Sequence, residues 1–506
     1  NQEAPLDDKN VRKALKEAAN SKVPINYLVR ALDLAKQGYN LPLQEFDTHY
    51  ESEAYLTVSG QNSNNSVRIP NTFFEALNSG RDWELKARTT GETMKTLPAA
   101  KLWDDIGYCA WASADPGLQY DTTMNEWHTC PAGGRINASN PCSEYLFLDD
   151  TACNLASINL VKLYDEEQQE FDVQGYRHVI RLWTIALEIS VLMAHFPSEE
   201  IAAKSYEYRT LGFGYANVGT LLMLQSIPYD SDEGRAIASA LAAIMTGESY
   251  ATSAELASTL GSFERYQENK KHMLKVIRNH RRAAYDDENY EDLTVTPIAI
   301  NQEICPPDLL QAAHDCWDKA LERGMRFGYR NAQVTVIAPT GTIGLVMDCD
   351  TTGVEPDYAL VKYKKLAGGG YFKIVNQSVP NALKKLEYTE RQSADIIAYC
   401  LGHGTLQGSP GVNKESLLQK GVPAETLAVV EKDLKTAMDI RSSFNKWNLG
   451  SVYDKVMQGK EGDFLTALGY TEQEITVANG FVCGTMTLEG APHLKQEHYP
   501  IFDCAN

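Results

Sequence analysis

The chain reads as an α/β protein with additional helices, and three observations lead there. Long stretches carry apolar residues at helical spacing, short β-rich runs such as VTVIA (334–338) fall between them, and glycine-bearing turns such as PTGTIG follow those runs at once. At 506 residues there is material for one very large core or for several ordinary domains, because single cores stop growing near ~250–300 residues.

Residues 1 to 40 predict two helices, in VRKALKEAAN and in INYLVRALDLAKQGYN, the second closing toward Gly38. SVRIPNTFFEAL predicts a short strand leading into a helix. YRHVIRLWTIALEISVLMAH (176–195) is apolar on most sides, which predicts a buried helix. Its expected companions are IASALAAIMTGESYATSAELAST and, after the start signal PPD, LLQAAHDCWDKALER ending at Gly324. A polar segment near 264–295 joins a basic helix to an acidic run. It reads as an exposed helix with a solvated insertion, against a competing reading in which Arg278, Arg281 or Arg282 binds phosphate. After Gly368, Gly369 and Gly370 the chain turns mostly helical and charged. Residues 1–375 are therefore expected to form the core, and 376–506 a mostly helical continuation or insertion of the same domain.

A formal net charge of −20 argues against a dedicated nucleic-acid binder, which needs a basic face to displace counterions. A small anionic substrate stays open, since local amides and a few cations can hold phosphate. No window approaches the roughly 18 apolar residues of a membrane span. Ten cysteines without C-x-x-C pairs or Cys/His ligand spacing indicate neither a zinc site nor a secreted disulfide framework, so a reducing, cytoplasmic setting is expected and no metal is assigned. Both ends read as cuts through a longer polypeptide.

The densest chemistry lies in RINASNPCSEYLFLDDTACNLASINL, residues 135–160. In an extended segment side chains alternate faces, so Asn140, Cys142 and Glu144 would point the same way, roughly 6.5 Å apart per two-residue step. A carboxylate that close raises a thiol's pKa, which suits a neutral thiol or one that loses a hydrogen atom better than a thiolate nucleophile. A buried structural cysteine beside a turn explains the spacing equally well. Cys153 alone is just as ambiguous. PTGTIG after VTVIA can present Thr340, Gly341 and Thr342 to phosphate, or be an ordinary tight turn. SGQNSNN (59–65) is a turn-prone surface loop on composition. GFGYANVG (212–219) lacks G-x-G-x-x-G spacing after a strand and reads as close helix packing, while DCDTTGVEPD lacks calcium-loop order and reads as structural.

The run NPCSE, followed eleven residues after its cysteine by CNLASINL, resembles the active-site finger loop and adjoining strand of ribonucleotide reductases. GQNSNNSVRIPNTFFEAL, ADPGLQYDTTMNEWHTCPAGGRINASNPCSE, RTLGFGYANVGTLL and APTGTIGLVMDCDTTGVEPDYALVKYKKLAGGG extend the resemblance over most of residues 50–375. The proline of NPCSE and the DCDTTGVEPD to KLAGGG block resemble the adenosylcobalamin-dependent (class II) branch. The resemblance implies a ten-stranded α/β barrel with the finger loop threaded into its centre. It implies that Cys142 carries a transient thiyl radical, that Glu144 is the base for the 3′ hydroxyl, that Asn140 hydrogen-bonds the sugar, and that Cys153 is one of two reducing cysteines. Pro339, Thr340, Gly341, Thr342 and Ile343 become the substrate diphosphate loop, and Gln61, Asn62 and Arg68 become effector-specificity residues. The implied cofactor is adenosylcobalamin. The implied partners are a ribonucleotide substrate, deoxynucleotide or ATP effectors, a thioredoxin- or glutaredoxin-type reductant, a second subunit in a homodimer and, if the gene is split, a second polypeptide.

The resemblance also has gaps. The family's redox partner of Cys153 lies upstream of the finger loop, where only Cys109 and Cys130 stand here, neither in a matching context. That partner, a later phosphate loop and a C-terminal cysteine pair are expected outside this chain. The alternatives are the large subunit of a diiron-dependent reductase, a non-catalytic nucleotide-binding subunit, and a cysteine-nucleophile enzyme, which requires a histidine base near Cys142.

Overall fold

The computed structural model describes residues 5–21, 23–39, 46, 52–54, 63–365 and 371–505. The chain divides into two compact units, Asn1–Val67 with Thr72–Leu118, and Arg68–Asn71 with Gln119–Asn506.

In the smaller unit the Lys9–Asn20 helix starts where the Asp8 carboxylate accepts from the amides of Asn10 and Val11, and the Ile25–Lys36 helix follows, as the apolar spacing predicts. Strands Asp82–Lys86 and Thr93–Pro98 form an antiparallel hairpin. Aromatic side chains form the core here: Phe73 meets Trp83 edge-on at 5.2 Å, and Phe74 meets Trp103 at 5.5 Å.

The larger unit is built on helices. The Asp232–Leu260 helix packs along the Pro307–Phe327 helix, and the Tyr266–Tyr285 and Val173–Met193 helices flank them. Gly247 permits the first contact, because a Cβ there would stand 2.9 Å from the Cβ of Cys316. The Pro307–Phe327 helix runs past the expected stop at Gly324 to Gly328, whose φ of +75° ends it. Gly324 instead lies under the ring of Tyr329, where a side chain would collide. The Val173–Met193 helix buries Tyr176, Ile180, Thr184, Leu187 and Val191 on one face, yet exposes Leu182, Trp183, Ile189, Leu192 and Met193 on the other, so it is less enclosed than its composition predicts.

The expected ten-stranded barrel is not what the chain forms. Among the described residues every sheet has two strands, and one pair is parallel, Asn154–Asn159 with Leu211–Ala216. VTVIA, predicted as a strand, contributes a single bridge from Thr335 to Phe213. Closure requires each strand to bond on both sides until the last meets the first. Here helices connect most of these segments, and the strands of the other pairs are 2 to 6 residues long. Residues beyond 376 are mostly helical, with a buried cluster around Leu406, Leu417, Leu427, Phe444 and Phe464.

The basic helix near 264–295 is not merely a solvated face, since Met273, Val276 and Ile277 are buried. Its cations are paired. Arg278 grips Glu291 through two bonds of 2.6 Å, Arg282 donates to the same carboxylate, and Arg281 donates to Asp318. The hydrogen bond from Arg278 leads in holding the Glu291 carboxyl down at about 2. These arginines are committed to protein carboxylates, which removes the phosphate reading. DCDTTGVEPD is structural, as expected: the buried Asp357 receives Lys362 and Asn376, and Thr351 donates to Asn217.

Candidate active site

Residues 127–148 have almost no regular structure, so side chains must satisfy the loop's backbone groups. Asn125 bonds both the N–H and the C=O of Ile136, Arg68 donates to the same carbonyl, and Asn269 accepts from the amide of Ala132. The segment around Cys142 is not extended. A turn closes by a 3.0 Å bond from the Ser143 amide to the Asn140 carbonyl, and Ser143 adopts a φ of +64°. Simple alternation therefore fails at Asn140, whose Oδ1 turns back to accept from the Tyr145 amide at 2.9 Å.

Cys142 and Glu144 do meet on one cavity of about 650 Å³. Cys142 is exposed, and Glu144 is half-buried with its Oε2 enclosed and without a hydrogen-bond partner among the described residues. An unpaired buried carboxylate oxygen is costly in a resting protein, so this atom is available to a ligand hydroxyl. The opposite wall is aromatic. His280 stacks on Trp317 at 4.9 Å and leans on Trp127 at 4.6 Å.

Cys153 does not line the cavity, but it precedes the Asn154–Asn159 strand and packs against the neighbouring strand at Gly212, where a Cβ would stand 2.9 Å from its sulfur. GFGYA, the first part of GFGYANVG, is thus a buried strand whose glycines admit close neighbours: Cys153 at Gly212, and the Val336 carbonyl, 3.0 Å from a Cβ built at Gly214. Helix packing is confined to Gly219. Burial first, and the Glu144 charge second, push the Cys153 thiol up to about 12. The group is therefore neutral at physiological pH, and its thiolate fraction rises about tenfold per pH unit up to that value. Iodoacetamide at pH 8 is expected to label the exposed Cys142 and Cys109 well before Cys153, by peptide mass spectrometry. Equal rates would contradict the buried, neutral thiol.

The 339–343 loop is not on the cavity itself but continues the 333–337 segment that lines it. Thr340 shares a 2.8 Å hydrogen bond with Ser157, four residues beyond Cys153, which ties the loop to the parallel pair. A Cβ at Gly341 would meet nothing, so the chain leaves open space over that residue. Arg68 points to the finger loop through Asp121, Gln119 and Ile136. Gln61 and Asn62 lie outside the described residues.

Sequence reading did not find His128, His280, Trp127, Trp317 or Gln119. No spacing marks them, because only tertiary closure brings them to the loop. Their state bears on the nucleophile alternative. Burial lowers His128 and His280 to about 4, and both ring nitrogens of His128 are used, Nε2 donating to the Gly134 carbonyl and Nδ1 accepting from the Cys130 amide. His128 is consequently not free to act as base for Cys142.

A family model described as "Ribonucleotide reductase, barrel domain" matches residues 44–419. The chain belongs to the ribonucleotide reductase family. Within it, the chain is 58% identical over 513 residues to the vitamin B12-dependent ribonucleotide reductase of Bradyrhizobium diazoefficiens, covering 99% of this chain and 41% of that protein. The protein of the same name from Agrobacterium fabrum is 55% identical, with 99% and 40% covered, and that from Rhodopirellula baltica 46% identical, with 76% and 36% covered. The chain thus spans about two fifths of the length of the first two of these relatives. Among the described residues no helix is long and apolar enough to cross a membrane.

Proposed function

We propose that this chain carries the radical chemistry of a reductase that converts ribonucleoside diphosphates to 2′-deoxyribonucleotides. The observation that carries the reading is the cavity shared by Cys142 and the unpartnered Oε2 of Glu144. Cys142, once its hydrogen atom has been removed, takes the 3′ hydrogen of the ribose. Glu144 Oε2 accepts the proton of the 3′ hydroxyl, and its lack of a protein partner supports that role. Cys153 is one of two cysteines that together give up two electrons and two protons and end as a disulfide while the 2′ hydroxyl leaves as water, and Cys142 then returns the 3′ hydrogen. The neutral thiol of Cys153 supports a part in hydrogen delivery. Asn140 holds the turn by its Oδ1, and its amide nitrogen is assigned to the sugar. Residues Pro339, Thr340, Gly341, Thr342 and Ile343 are assigned to the diphosphate, supported by the space over Gly341.

The relatives' names point to adenosylcobalamin. The residues present fit such a group, because Cys142 is exposed beside a roomy aromatic cavity whose rim carries the exposed apolar side chains Ile298 and Ile337. When bound, adenosylcobalamin supplies an unpaired electron by homolysis of its cobalt–carbon bond. Deoxynucleotide or ATP effectors acting near Gln61, Asn62 and Arg68, a thioredoxin- or glutaredoxin-type reductant, a homodimer and a cytoplasmic setting complete the proposal.

The test is deoxynucleotide formation from a ribonucleotide mixture with adenosylcobalamin and a dithiol, on this chain and on the complete gene product. Product that requires cobalamin supports the reading, and product with a diiron partner subunit instead would replace the cofactor. Glu144→Gln is expected to lower kcat by about 10²- to 10⁴-fold with KM within about twofold, as removal of a general base does. A large loss of affinity at unchanged kcat would remove the base role.

A further inference from the structure

Ser143, between the cysteine and the carboxylate, is held at a φ of +64°, a conformation that side-chain-bearing residues rarely adopt. One buried side chain touches it from outside the loop. The Gln119 amide nitrogen donates to the hydroxyls of Ser139 at 2.6 Å and Ser143 at 3.1 Å, one just before the Asn140–Ser143 turn and one at its end, and Gln119 is only 3% exposed. Its amide oxygen accepts from Arg68 at 3.0 Å, and Arg68 also donates to Asp121 and to the Ile136 carbonyl. A guanidinium has no acceptor, so the amide must turn its oxygen to Arg68 and its nitrogen to the serines. The orientation of the clamp is therefore fixed by chemistry.

We propose that Gln119 is a positioning residue that clamps the Asn140–Ser143 turn in its left-handed form and so aims Cys142 and Glu144 into their common cavity. The assignment to catalysis rests on Cys142 being the radical cysteine, but the clamp itself can be read without turnover. Without the two hydrogen bonds from Gln119, Ser143 keeps its bonds within the loop, to the Asn140 carbonyl and the Ser139 hydroxyl, but loses the hold from outside it, and its φ relaxes. Glycine adopts that φ without penalty, so Ser143→Gly removes the need for a clamp.

The experiment measures iodoacetamide labelling of Cys142 in the 506-residue chain, with the exposed Cys109 as internal reference. Gln119→Leu is expected to change the Cys142 rate at least threefold with Cys109 unchanged, and adding Ser143→Gly to return it to within twofold of the native rate. Ser143→Ala, which keeps the strain and loses the hydroxyl, is expected to shift the rate as Gln119→Leu does. It keeps the test open should the buried substitution fail to fold. In the active reductase the Gln119→Leu loss is expected in kcat, about tenfold, with KM within twofold, and Ser143→Gly is expected to recover it. An unchanged Cys142 rate in both single variants, or a double variant no better than Gln119→Leu, would overturn the clamp. Absence of turnover in the complete gene product beside the expected labelling pattern would uphold the clamp and count against the reductase reading alone.

Discussion

Cys142→Ser is expected to reduce deoxynucleotide formation by more than about 10³-fold while nucleotide affinity stays within about twofold. The substitution changes one atom at an exposed position, and no packing depends on it. What changes is the bond that must give up its hydrogen. A hydroxyl O–H bond is stronger than a thiol S–H bond by far more than the ~4 kcal/mol that a 10³-fold loss requires. A hydroxyl at this position therefore cannot take over the radical step, although the cavity, its aromatic wall and the open space over Gly341 remain to bind substrate. Product formation and equilibrium nucleotide binding on the same preparation separate the two effects. Full activity in Cys142→Ser would remove the radical assignment, and lost binding would make Cys142 a structural residue.

The asymmetry between what the sequence disclosed and what it hid has a physical origin. Cys142, Glu144 and Cys153 were legible because their chemistry is dense and local: a thiol and a carboxylate two residues apart, then a second thiol, in a resemblance with fixed spacing. The side-chain directions were not legible. Alternation assumes an extended chain, and the Asn140–Ser143 turn breaks it, sending Asn140 to the Tyr145 amide. The helices were readable from periodicity, but their ends were not. Gly324 serves contact with Tyr329, and Gly328 serves termination. The barrel was misjudged because strand number follows from pairing partners, which no periodicity records. VTVIA has strand composition but makes one bridge. The arginines near 264–295 illustrate the same limit, since their carboxylate partners include Asp318 on a different helix.

The second large effect is expected at Glu188, far from any motif. Glu188→Gln should destabilise the chain by about 3–5 kcal/mol, read from the urea midpoint and slope. Glu188 sits on the buried face of the Val173–Met193 helix and accepts from Arg209 Nε at 2.7 Å, Arg330 Nε at 2.8 Å and Asn331 Nδ2 at 2.6 Å. Arg209 is 1% exposed and one of its terminal nitrogens already lacks a partner, so removing the carboxylate charge leaves a buried guanidinium uncompensated. The cost concentrates where the site is held. Arg209 leads through Thr210, which shares a hydrogen bond with Tyr145, into the strand that Cys153 packs against. Arg330 and Asn331 begin the segment whose Gln333, Thr335, Val336 and Ile337 line the cavity. Glu207→Gln, at a more exposed ion pair with Arg265, is the comparison and should cost no more than about 1 kcal/mol. If Glu188→Gln proved as mild as Glu207→Gln, the network would not be what anchors the strand and the cavity-lining segment. The expected gap between the two variants instead ties the geometry of Cys153 and the cavity wall to one buried carboxylate.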